Sequence, residues 1–128
     1  MNGMFGPASI ELEPGARNAV EVCLGIRPDE RVALIADEAS GEVAASIAAA
    51  LDDVGAPWDG VLIEQVAGRP LAGAPPAVLD ALGRADAGIL CIQPRQGELG
   101  ARMEIVSLVE RRGIRYVHMV GVTSQIMR

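Results

Sequence analysis

Six side chains in this sequence have types and positions from which a chemical site could be assembled. They are the adjacent carboxylates Asp37 and Glu38, the pair Gln93 and Arg95, the sole histidine His118, and Thr123. Neighbouring carboxylates can divide acid and base work when their surroundings separate their pKa values, or hold a metal ion or a cationic amine. The same two residues fit a plainer reading, in which one caps a helix and the other is solvated. Arg95 offers a planar fork for a carboxylate or phosphate, with Gln93 to orient it; equally, Arg95 can pair with Glu98. His118 lies within an apolar run, where a hydrogen-bonded core residue is an alternative to a ligand. Thr123 sits in a turn at residues 121–124.

What is missing narrows the chemistry. All eleven basic residues are Arg, so a phosphate loop of the kind that needs Lys is excluded. No Gly-x-Gly-x-x-Gly follows any apolar run, so a nicotinamide or flavin is not expected, and no other cofactor is implied. Cys23, Cys91 and His118 fall on separate segments, without the close spacing of a zinc site, and no metal ligand is assigned. Neither is there a Gly-x-Ser-x-Gly elbow for a serine nucleophile. The catalytic residues stay unassigned, and the chain taken alone leans away from being an enzyme.

These residues need a scaffold, and its clearest stretch is residues 31–54. Val32 to Ile35 is a short apolar run bounded by charge, as a strand covered on both faces reads. Residues 37–40 supply turn and cap chemistry. From Val43 the period changes, and Val43, Ile47, Ala50, Leu51 and Val54 share one helical face until Gly55. The unit then repeats. A helix begins at Glu13-Pro14 with Ala16, Val20, Cys23 and Leu24 on its apolar face, ending at Gly25. Strands are expected over residues 58–64, 87–92 and 116–120. A short helix is expected over residues 76–82, with Val78, Leu79 and Leu82 inward and Gly83 after it, and a further helix over about residues 98–112, followed by Gly113. Residues 66–75 read as an irregular Gly/Pro/Ala-rich stretch.

Helices alternating with short strands predict an α/β fold: an open, mostly parallel sheet of about four strands with helices on both faces, a Rossmann- or flavodoxin-like three-layer sandwich. Residues 1–10 form a loose lead-in and residues 11–128 a single domain. In such a sheet, ligands bind beyond the carboxyl ends of the strands, which selects the loops at residues 37–40, 64–65, 93–96 and 121–124. The sequence stops where a further helix would begin.

The totals add limits. With aromatics at 2%, the core must be built from Ala, Val, Ile and Leu, which leaves few large anchors and favours help from a partner surface. A net charge of −6 with scattered arginines argues against nucleic acid. Two distant cysteines read as small buried hydrophobes in a reducing, cytoplasmic setting. No run approaches the roughly 18 apolar residues that span a bilayer, so no membrane association is expected.

The order of several short motifs resembles the N-terminal domain of the thermophilic leucyl aminopeptidase family, metallopeptidases of the aminopeptidase T and aminopeptidase S type. The motifs are Leu24-Gly25-Ile26-Arg27-Pro28, Glu30-Arg31-Val32, Asp37-Glu38, Gly55-Ala56 and Met119-Val120-Gly121-Val122-Thr123. The likeness covers nearly all of the chain past the first ten residues and implies a Rossmann-like domain. The family's paired metals are held by a C-terminal domain that this sequence lacks, so no ligand is carried over. Residues 93–100 stand where the family has a Ser/His/Thr-rich loop, and Met119-Val120-Gly121 where it has Met-Pro-Gly. The resemblance implies a non-catalytic, cleft-forming or oligomerisation subunit, partnered by further copies of itself or by a separate metal-binding chain. The alternative is a small enzyme or small-molecule-binding domain that uses the strand-end rim for an amino-acid-like or anionic ligand.

Overall fold

The computed structural model describes residues 4–93 and 95–118. Residues 119–128, which include Thr123 and the end of the predicted fourth strand, lie outside the described residues. The sheet has four parallel strands, β1 (Val32–Ala36), β2 (Trp58–Leu62), β3 (Ala87–Cys91) and β4 (Arg115–His118), in the order β2-β1-β3-β4. The α/β class and the parallel sheet are as the alternating pattern predicts.

The alternation of side chains along β1 explains the layers. Val32, Leu34 and Ala36 enter one cluster, with Ile89 and Cys91 of β3 and the inner faces of α1 (Glu13–Asn18) and α2 (Gly41–Val54). Ala33 and Ile35 enter the opposite cluster, with Leu90, Val78, Ala81 and Leu82 of α4 (Pro76–Arg84), and Ala101, Ile105 and Val109 of α5 (Leu99–Arg112). All five residues of β1 and all five of β3 are buried, so these are the central strands. The chain steps outward from β1 to β2, crosses back over β1 to β3, and continues to β4. Its helices change face at that reversal, as right-handed crossovers require.

Several boundaries differ from the sequence reading, each for a physical reason. α1 opens at Glu13-Pro14 as expected, but its last turn widens over Ala19–Cys23, where Leu24 N–H bonds to the Ala19 carbonyl at 3.1 Å. A wider turn rotates the helical face, so Ala19 and Val20 point inward while Cys23 is exposed. Cys91 is buried as expected. β2 ends at Leu62 rather than 64; the chain turns helical as α3 (Ile63–Val66), and Ile63 is fully buried beneath the strand ends. α4 runs on through Gly83 to Arg84, with Ala81 rather than Leu79 completing its buried face. Near the start of the described chain, Phe5 is buried and stacks on Trp58, with ring centroids 6.1 Å apart.

Candidate functional site

The sheet order reverses between β1 and β3, and a parallel sheet offers a crevice beyond the carboxyl ends of the strands at such a point. Asp37 follows β1 directly. Its backbone is extended, and its Oδ1 accepts the Ser40 N–H at 3.0 Å, which caps the turn into α2. The cap uses one oxygen only. Oδ2 accepts the Gln93 N–H at 2.8 Å and Arg69 Nη1 at 2.9 Å, which ties the end of β1 to the end of β3. The Gln93 side-chain amide donates to Ser40 Oγ at 3.3 Å.

Arg69 comes from the irregular stretch between α3 and α4 and fills the crevice. Its fork meets Glu98, just before α5, in two-point fashion: Nη2 to Oε1 at 2.5 Å and Nε to Oε2 at 2.9 Å. Nη2 also reaches the Gln93 carbonyl at 3.3 Å, and Nη1 lies 3.5 Å from Glu64 Oε2. The Leu71 N–H completes Glu98 by donating to Oε2 at 2.8 Å. The side chains of Arg69, Asp37 and Glu98 are 4%, 1% and 4% exposed, so three charged groups share a nearly dry site.

The electrostatics follow from this packing. The hydrogen bond from Arg69 holds the Glu98 carboxyl below its usual range, outweighing the opposing effect of burial. In turn, the bond to Glu98 pushes the Arg69 guanidinium above its already high value. Burial, then the nearby Asp37 charge, pushes the Cys91 thiol up to about 12, so it stays protonated at neutral pH and is not a thiolate nucleophile. A carboxylate held ionised by a fixed cation is a poor proton donor. The arrangement works as a lock joining β1, β3, the 67–75 segment and the start of α5.

Of the residues singled out from sequence, Asp37 and Gln93 come together in this lock. Glu38 is exposed on its rim, where its backbone N–H donates to Glu64 Oε1 at 3.0 Å. Arg95 is also exposed, and its charge favours the ionised form of Glu98 from a distance. The fork that engages Glu98 belongs to Arg69.

His118 lies elsewhere, on β4 opposite Leu90 and on the α5 side of the sheet. It is half-buried, its Nε2 is shielded from solvent without a hydrogen-bond partner, and burial, then the Arg102 charge, lowers its pKa. It lines a surface groove of about 490 Å³ with Leu99, Arg102, Met103, Val106, Ser107 and Glu110. A second groove, of about 450 Å³, runs between the 4–8 segment, α2 and Trp58.

Sequence reasoning missed Arg69. Its partners lie 32 and 29 positions away, and its own segment has no periodicity. The only available signal was the pair of carboxylates at Asp37 and Glu98, which burial would force to find a cation. Among the described residues, no group of three or more His, Cys, Asp or Glu is placed to hold a metal ion, and no helix is long and apolar enough to cross a membrane. In comparisons with known proteins, no family model matches the chain and no match to a curated protein was found.

Proposed function

We propose that this chain is a scaffold domain of the leucyl aminopeptidase N-terminal type, a non-catalytic wall of a cleft whose reactive groups come from another polypeptide. The observation that carries this reading is Arg69. Where an open α/β sheet usually receives its ligand, this chain inserts its own guanidinium and engages Asp37 and Glu98 with it. The order of the motifs from Leu24 to Thr123 supports the family assignment within the same reading.

A rate measurement and a melting measurement on the purified chain test it. With a chromogenic leucyl substrate and added divalent metals, the expected result is no turnover above buffer. Thermal melts against amino acids, dipeptides and nucleotides should show no saturable rise, because only a ligand that binds the folded state raises the midpoint. Turnover that disappears in Asp37→Asn, or a saturable shift lost in Arg95→Ala, would overturn the scaffold reading in favour of a rim-binding enzyme or ligand-binding domain.

A further inference from the structure

The outer side of α5 contrasts with every other helical face described so far. Its inner face buries Ala101, Ile105 and Val109, as a layered fold requires. Yet Leu99, Met103 and Val106 also form an apolar stripe, at spacings of four and three, that faces away from the core. Leu99 and Met103 are each 61% exposed, and Val106 is 39% exposed. They line the groove of about 490 Å³ that His118 borders from β4.

The charges beside this stripe have a particular order. Arg102 lies four positions before Val106 and Glu110 four positions after it, and both line the groove. Among the described residues neither forms an ion pair, and Arg102 Nε is shielded from solvent with no hydrogen-bond partner. Laid antiparallel on itself with Val106 at the crossing point, α5 brings each Arg102 level with the Glu110 of the other copy. That is the self-complementarity a two-fold interface demands, in which residue i meets j and j meets i.

We infer that the outer face of α5 is the contact surface of a symmetric homodimer, centred on Val106 and bordered by two Arg102–Glu110 pairs between copies. The inference rests on the oligomerisation side of the scaffold reading and gives it a location. A second copy fits better than an unrelated chain, because the two charged residues that line the groove, Arg102 and Glu110, exchange places under a two-fold axis through Val106. The two pairs also let chains that each carry a net charge of −6 approach without local repulsion.

Sedimentation equilibrium across the micromolar range tests the surface directly. The wild-type chain should dimerise. Val106→Asp, which sets two like charges against each other at the axis, should leave a monomer with unchanged circular dichroism and a melting midpoint that no longer rises with protein concentration. Arg102→Glu and Glu110→Arg should each weaken dimerisation by about tenfold, and the double reversal should restore it, since coupled rim charges typically act at this scale. Because both charged positions lie on the helix surface, the reversal series remains readable even if Val106→Asp unfolds. A wild-type chain that is monomeric throughout, or a dimer indifferent to all these substitutions, would overturn the assignment. So would a double reversal that fails to recover association. A dimer that ignores α5 would sink this surface yet leave the scaffold reading intact, whereas leucyl turnover by the chain would do the opposite.

Discussion

At the carboxyl ends of β1 and β3, each side-chain nitrogen of Arg69 and each carboxylate oxygen of Asp37 and Glu98 has a partner. Across the outer side of β4 and α5, Arg102 Nε, Tyr116 Oη and His118 Nε2 are shielded from solvent and have none, beside exposed Leu99 and Met103. The first region lies beyond the strand ends, between the two faces, and the second lies on the α5 side of the sheet at β4. The first is complete in itself: one guanidinium is shared by two carboxylates, every polar atom of the three groups is paired, and its chain segments are locked. In the second, apolar surface and unsatisfied polar atoms occur together, which is costly for a lone chain and natural at a contact surface. The position where a parallel sheet usually works is therefore the closed one here, and the open one lies at the sheet's edge.

The largest expected effect comes from breaking the closed region. Arg69→Ala leaves two buried carboxylates without their cation and should cost about 3–5 kcal/mol in urea unfolding, because an uncompensated buried charge is far worse than a lost surface pair. A loss below about 1 kcal/mol, the scale of an exposed ion pair, would show that the site is wet and the lock loose. Acid provides a gentler version of the same test. Since Arg69 lowers the Glu98 carboxyl in the folded chain, the stability from that pair is complete above the ordinary value of 4.5. It is lost as pH falls from there through the lower folded value. Unfolding midpoints measured against pH should drop over that window, and Glu98→Gln should flatten the drop.

The smallest effect belongs to the open region and has the opposite sign. Tyr116 packs over Gly88, where an added Cβ would come within 3.2 Å of the ring. Its hydroxyl is shielded and unpartnered, and burial pushes its pKa up to about 12. Removing that oxygen in Tyr116→Phe should raise stability by up to about 1 kcal/mol, because a buried donor without a partner is a liability. Destabilisation by the same change would mean that the hydroxyl has a partner in solution, and would erase part of the contrast between the two regions.

Most of the layered architecture could be read from residue order. α2 is bounded by Gly41 and Val54 as the sequence implies, because the Asp37 turn chemistry precedes it and Gly55, with φ of +84°, ends it. Local signals failed where local physics is ambiguous. Ile63 is as apolar as the strand before it, and a run of that length does not reveal where a strand ends and a helical turn begins. Cys23 was placed inward by a regular helical period that the wide turn at Ala19–Cys23 breaks. For the candidate site, sequence located Asp37 and Gln93 by the strand-end rule and offered a helix cap as one role for the Asp37–Glu38 pair, a role that Asp37 fills. It had no means of finding Arg69, since a buried ion pair between distant segments leaves no periodic trace.

Arg115 carries one more consequence. At the start of β4 it donates to the Leu24 carbonyl across 91 positions at 2.5 Å, to the Gly25 carbonyl, and to the Glu30 carboxylate. These bonds staple the outermost described strand to the bend that leads into β1, and they cannot form until residue 115 has emerged from the ribosome. Closing so wide a loop is entropically expensive before its contacts repay it. Loop-closure entropy thus favours docking of β4 after the three earlier strands have a surface to offer, and until then Glu30 has its neighbour Arg27 beside it.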